Sequence, residues 1–94
     1  MEPFYMDKNK QNNQTQWSTT NFYLAAFLSA KGLQLVDIDR SEVTRCKFVF
    51  NDNDQRQFFV DAFNFGQETD SLVQVDARKL VFAIKSLKQN LHGG

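Results

Sequence analysis

The 94-residue sequence has little of what commonly marks an exported, membrane-bound or metal-binding protein. Its single cysteine, Cys46, cannot form a disulfide within the chain, and no signal peptide is recognisable, so we expect a reducing, cytoplasmic location. The longest apolar run, residues 22–28, is about a third of the length that a membrane-spanning helix needs. We therefore expect no transmembrane segment and no membrane partner.

An excess of charge of either sign is also lacking. Lysine plus arginine number 11, as do aspartate plus glutamate, so the formal net charge is zero. The general electrostatic attraction of basic proteins for nucleic acid or anionic membranes is therefore missing. Any binding of that kind must come from a local patch.

Residues that could build a catalytic or metal site are sparse. Cys46 and His92 are the only soft ligands, too few to complete a zinc site within one chain. Asp37 and Asp39 share one face of a predicted strand, where ion pairs with a neighbouring strand are their simplest role. Because no spacing assembles a nucleophile, a base and an oxyanion donor, we predict no enzyme, no catalytic residue, no metal, no cofactor and no small-molecule substrate.

The composition does support a folded core. Hydrophobic residues make up 41% and aromatic residues 14%, including ten phenylalanines, which argues against disorder of the whole chain. Residues 1–16 are different, since they are rich in asparagine and glutamine and show no hydrophobic periodicity. We predict a disordered polar leader over residues 1–16 and a single domain over residues 17–94.

The first predicted helix has the clearest boundaries. Ser18, Thr19 and Thr20 are each good N-caps, and with Ser18 as cap, Trp17 and Phe22 take the spacing of a hydrophobic staple. A glycine at position 32 ends the helix. Its interior, FYLAAFL, is apolar nearly all round, so it must be covered on more than one side.

The pattern becomes extended from residue 33. Segments 33–40 and 44–51 are predicted to form a hairpin, although Leu35 is out of phase with Ile38, which indicates a bulge or partial cover of both faces. The second strand alternates cleanly and places three apolar side chains on one face: Cys46, Phe48 and Phe50.

Two further helices are predicted. One spans residues 55–65 and ends at Gly66; the other spans residues 77–91 and is capped by Asp76. Residues 72–75 form either a third strand or only a connector. The fold class is α+β in the order α-β-β-α-(β)-α, with a β-hairpin or three-stranded antiparallel sheet packed against three helices. The last helix carries an apolar stripe of Leu80, Ile84, Leu87 and Leu91, broadened by Ala77, Val81 and Phe82.

These residues carry a family likeness over essentially residues 17–92. The chain resembles an uncharacterised family of small prokaryotic, phage and metagenomic proteins with a T-T-x-x-Y-L-A-A-x-L-x-x-x-G helix, an F-x-F strand end and a V-D-A-R helix ending in L-K. The resemblance implies a domain of unknown function and assigns no catalytic residue. The matching positions are Thr19 and Thr20, Tyr23 to Ala26, Leu28, Gly32, Phe48, Phe50, Val75 to Arg78, Leu87 and Lys88.

We predict a non-enzymatic binding or assembly module that acts through protein–protein contacts, with a protein partner or a second copy in a homodimer. The apolar surplus of the first helix indicates where such contacts lie, although the same side chains could instead fill the core of a monomer. The candidate anchors are Trp17, Phe22, Tyr23 and Phe27.

The alternative is a nucleic-acid-associated accessory protein. Basic residues concentrate in the last helix, where they could contact phosphates together with two cations of the hairpin, although an ordinary solvated helix face shows the same pattern. The residues concerned are Arg45, Lys47, Arg78, Lys79, Lys85 and Lys88.

Overall fold

A computed structural model describes residues 15–42 and 45–93 and shows the predicted α+β class, a three-stranded antiparallel sheet with three helices. Most of the predicted leader, residues 1–14, lies outside the described residues. The elements in chain order are β1 (Gln16–Thr19), α1 (Phe22–Ala30), β2 (Leu35–Glu42), β3 (Arg45–Asn51), α2 (Arg56–Phe65) and α3 (Ala77–Gly93).

The sheet has the order β1-β3-β2, and both outer strands pair antiparallel with β3. The predicted hairpin of β2 and β3 is confirmed. The third strand is β1, and residues 72–75 are not a strand. They follow a turn in which the Asp70 carboxylate accepts a hydrogen bond from the Leu72 amide at 2.9 Å.

Helix α1 begins later than any of the three predicted caps, Ser18, Thr19 and Thr20, would place it. Asn21 is the N-cap, and its side-chain oxygen accepts from the Leu24 amide at 3.1 Å. Ser18 cannot act as the cap because it pairs with β3, so the predicted staple is also wrong. The predicted end is confirmed, since Gly32 has a φ of +106°, which favours glycine.

The core surrounds α1. Leu24 to Leu28 are five consecutive buried residues, so every side of the helix is covered. The sheet covers one side through Phe48 and Phe50, and Phe22 lies edge-on to Phe48 with ring centroids 6.0 Å apart. Helices α2 and α3 cover the rest. The apolar helix predicted to need more than one cover therefore finds several within its own chain.

A β-bulge in β2 explains the irregular phase of its apolar residues. Leu35 lies opposite Phe50 and Asp37 opposite Val49, so Val36 is the extra residue. The bulge brings Leu35 and Ile38 onto the core side and leaves the intervening Val36 and Asp37 exposed. Of the two predicted explanations, the bulge is the one that the register shows.

The entry to α3 is fixed from two directions. The Asp76 carboxylate accepts from the amides of Arg78 at 2.8 Å and Lys79 at 3.2 Å, which confirms the predicted cap. The Lys31 ammonium, one residue beyond α1, donates to the carbonyl oxygens of Ser71 and Gln74 in the loop that leads to α3. Together these contacts fix where α3 begins relative to the end of α1.

Candidate docking surface

Helix α3 buries a narrower stripe than its sequence indicates. Ala83 and Leu87 are buried, and Leu80, Ile84 and Leu91 pack partly against the core. The prediction that Ala77, Val81 and Phe82 broaden this stripe is wrong, because α1 contacts only one side of α3 and all three are exposed. At about 100° per residue, Phe82 lies roughly opposite the buried stripe.

The exposed side of α3 forms a shallow apolar groove with a charged border. Phe82 is 70% exposed and Val81 about half exposed. The groove encloses about 340 Å³. Its lining residues follow i, i+4 spacing, and we call this set the α3 surface: Ala77, Arg78, Val81, Phe82 and Lys85.

The α3 surface is positively charged. Arg78 and Lys85 line the groove itself, and Lys79 lines a second cleft beside Phe82, where the end of α1 meets the start of α3. The sequence of α3, residues 77–93, contains four lysines and arginines and no acidic residue. An apolar centre bordered by cations is suited to a partner with an apolar centre bordered by carboxylates.

Helix α2 carries a second exposed apolar cluster. Phe65 is 81% exposed, and Phe58 and Leu72 are also exposed. With Asp61 and Asp70 they line a groove of about 260 Å³. We call these five residues the α2 surface; they share no lining residue with the α3 surface.

A close contact between loop and helix shapes the α2 surface. A Cβ atom at Gly66 would lie 2.5 Å from Val73 Cγ2 and 2.7 Å from the Ala62 carbonyl oxygen. Only glycine therefore allows the chain after α2 to fold back this tightly. The turn that follows positions Leu72 beside the phenylalanines of α2.

Most of the predicted interface anchors pack against the core of the molecule. Phe27 is 4% exposed, and its ring centroid lies 5.2 Å from that of Phe63. Trp17 and Phe22 pack partly against the core. Tyr23, at 63% exposed, is the anchor that presents most of its side chain to solvent.

Trp17 is held by a charged neighbour. The Arg56 guanidinium carbon lies 4.7 Å from the indole centroid, and Arg56 Nε lies 3.0 Å from an Asp52 carboxylate oxygen. That hydrogen bond lowers the pKa of Asp52 below its usual value. The arrangement gives Trp17 a structural role at the junction of β1 and α2.

The predicted nucleic-acid residues fall on two separate parts of the fold. Arg78, Lys79 and Lys85 lie on the exposed side of α3, and Lys88 is also exposed. The two cations of β3 alternate with core residues, so they project from the outer face of the sheet. There Arg45 lies opposite Glu42, and Lys47 opposite Asp39.

Both cations of β3 therefore face acids across the sheet, as expected for cross-strand charge pairs. The pKa of Asp39 is lowered mainly by a hydrogen bond from the Ser41 amide, at 2.9 Å, with a smaller contribution from Lys47. Because these acids offset Arg45 and Lys47, the concentrated positive charge among the described residues lies on α3.

Neither a metal cluster nor a membrane-spanning helix is found in the described part of the chain. Among residues 15–42 and 45–93, no three side chains of histidine, cysteine, aspartate or glutamate are grouped closely enough to hold a metal ion. No helix in these ranges has both the length and the apolar character required to cross a membrane.

Sequence reasoning alone did not identify the two surfaces described above. The cations of α3 were predicted, but Phe82 was assigned to the buried stripe, and none of the exposed phenylalanines of α2 was named as an interface residue. The available signal was the charge segregation, with acids concentrated in residues 51–70 and cations in residues 76–94.

Comparison with known proteins identifies the family of this chain. Neither the curated proteins nor the solved structures contain a match to this chain. A family model described as a domain of unknown function (DUF5659) matches residues 14–91, which includes every helix and strand described here apart from the last residues of α3. The chain therefore belongs to the DUF5659 family.

Proposed function

We propose that the domain is a non-enzymatic protein-binding module that docks its partner on the α3 surface. The observation that carries the proposal is the exposure of Phe82, 70% open to solvent on a helix whose opposite side is buried. A large apolar side chain at the centre of an exposed groove is typical of an interaction site, since isolated monomers gain nothing by exposing it.

The border of the groove supports the same function. Arg78 and Lys85 lie where a partner's carboxylates would meet them, so they would guide the approach and select against basic partners. The partner expected from this chemistry is a protein surface with exposed apolar side chains and flanking aspartate or glutamate. The free, half-buried thiol of Cys46 supports placing the protein in a reducing cytoplasm.

The test compares two exposed aromatic residues. The full chain, immobilised, is exposed to an extract of its source cell as wild type, as Phe82→Ser and as Tyr23→Ser. Tyr23 is the matched control because it is 63% exposed and lies outside the α3 surface. We expect bound proteins to be lost with Phe82→Ser and retained with Tyr23→Ser. Equal binding by all three chains would refute the proposal.

The nucleic-acid alternative is favoured by the same four cations of α3, which no acid of that helix offsets. It predicts binding of single- or double-stranded nucleic acid that weakens steeply with salt, with a shallower slope when Lys85 and Lys88 become glutamine. Binding that is indifferent to salt and to these substitutions would exclude this function. Phe82→Ser separates the two functions, since phosphate contacts do not require that ring.

A further inference from the structure

Resting on the proposed function, we infer that the partner of the α3 surface is a second copy of this chain, which docks there through its α2 surface. Each surface has an apolar centre, Phe82 with Val81 in one case and Phe58 with Phe65 in the other. Burial of both centres against each other would remove the largest exposed aromatic side chains of α2 and α3 from water.

The borders of the two surfaces are complementary in charge. Arg78 and Lys85 flank the apolar centre of the α3 surface, whereas Asp61 and Asp70 flank that of the α2 surface. Pairing α3 with α2 therefore joins opposite charges around a desolvated centre, the arrangement that favours a specific contact.

Pairing like with like is disfavoured by the same charges. Two α3 surfaces in contact would bring Arg78 and Lys85 of both copies together, and two α2 surfaces would do the same with Asp61 and Asp70. The charges therefore favour contact between the α3 surface of one copy and the α2 surface of the other.

The overall charge permits self-association. With 11 basic and 11 acidic residues, two copies carry no net repulsion, and the separation of acids from cations along the chain leaves an attraction between unlike parts. If each copy uses both surfaces on the same neighbour, the assembly closes as a two-fold dimer; if on different neighbours, it grows by further copies.

The test is a charge swap measured by sedimentation equilibrium of the full chain over a range of concentrations. One variant, Arg78→Glu with Lys85→Glu, makes the α3 surface acidic. The other, Asp61→Lys with Asp70→Asn, makes the α2 surface basic; asparagine keeps the oxygen that accepts from the Leu72 amide. Circular dichroism checks that each variant is folded.

We expect the wild type to gain mass with concentration, and less so at high salt. Each swapped variant should dissociate at least about tenfold more readily, because like charges then meet across the contact. The chain with all four substitutions should associate again. Phe82→Ser should remain monomeric, whereas Tyr23→Ser should behave as the wild type.

A wild type that stays monomeric at every concentration would overturn the inference, as would a folded four-fold variant that fails to reassociate. Neither outcome touches the proposed function, whose test is the retention of other proteins by the wild type and their loss with Phe82→Ser. Conversely, charge-swap rescue with no other protein retained by any of the three chains would support self-pairing through the α3 surface and refute the docking of a different protein there.

Discussion

The two sides of α3 should differ sharply in what they contribute to stability, and Leu87→Ala against Phe82→Ala measures the difference. Leu87 is 2% exposed and packs in the core, whereas Phe82 is 70% exposed on the same helix. Truncation of a buried leucine removes its transfer free energy and leaves a cavity, at a cost of about 2–5 kcal/mol. Truncation at Phe82 should change the free energy of unfolding by no more than about 0.5 kcal/mol.

The sign of the change in the free energy of unfolding on Phe82→Ala is informative as well. Alanine is the better helix former by up to about 0.7 kcal/mol, so Phe82→Ala is expected to be neutral or slightly stabilising. A folded unit of this size has a total stability on the order of 4–12 kcal/mol, so the loss at Leu87 is a large fraction of it.

Urea unfolding followed by circular dichroism gives both values from the midpoint and slope. The protein should be held at one low concentration, so that self-association does not add to the stability of the wild type. If Leu87→Ala fails to fold while Phe82→Ala folds, the result also agrees with the expectation that Leu87→Ala destabilises the protein more. Equal destabilisation by the two substitutions would refute the assignment of α3's buried and exposed sides, and the docking surface with it.

Three further predictions concern the local contacts that shape the fold. Asp76→Ala removes the side-chain acceptor for the Arg78 and Lys79 amides and should lower the unfolding free energy by about 1 kcal/mol in the same assay. Gly32→Ala should lower the free energy of unfolding by about 1–2 kcal/mol, and Gly32→Asn should lower it less, because asparagine tolerates a positive φ better. Equal losses for the two substitutions would show that the turn does not depend on a positive φ. The pKa of Asp52 is lower in the folded chain than in the unfolded one. Its carboxylate therefore contributes to the free energy of unfolding above the unfolded pKa, and this contribution is lost as pH falls below about 4. Asp52→Asn should therefore make stability less dependent on pH between about 4 and 2, measured as urea midpoints; an unchanged dependence would contradict the Arg56 hydrogen bond as its cause.

The features predicted correctly from the sequence are those whose cause is local. Asp76 caps α3 through amides two and three residues away, and Gly32 ends α1 through its own backbone conformation. The alternation of Phe48 and Phe50 follows from the geometry of one strand. A bulge in β2 could be predicted as one of two explanations because the phase error lies within a few residues, and the register places it at Val36.

The features predicted wrongly depend on distant parts of the chain. Ser18 and Thr19 suit a helix cap and a strand equally well, and it is pairing with β3, some thirty residues later, that decides for the strand. Likewise, the apolar pattern of α3 is wide enough for several buried faces. Contact with α1 selects the one containing the small Ala83 and leaves Phe82 in solvent.

In the candidate site, too, some features are visible in the sequence and others are decided by tertiary packing. The charge segregation between residues 51–70 and 76–94 is visible in the sequence and drew attention to the cations of α3, which the structure places on its exposed side. Which apolar side chains accompany those charges could not be read from the sequence, since exposure is decided by packing. Trp17, Phe22 and Phe27 have the composition of interface anchors, but the structure places them against the core.

Photo-crosslinking from the α3 surface in living cells reveals directly what the exposed side of α3 contacts. A photoreactive benzoylphenylalanine replaces Phe82 in one chain and Tyr23 in a control, and mass spectrometry identifies the adducts. We expect adducts from position 82, joined to peptides within residues 58–72 of a second copy, and none from position 23. Adducts from position 82 to another protein would retain the docking surface and reject self-pairing. Adducts from position 23 alone, or none from position 82, would contradict the account.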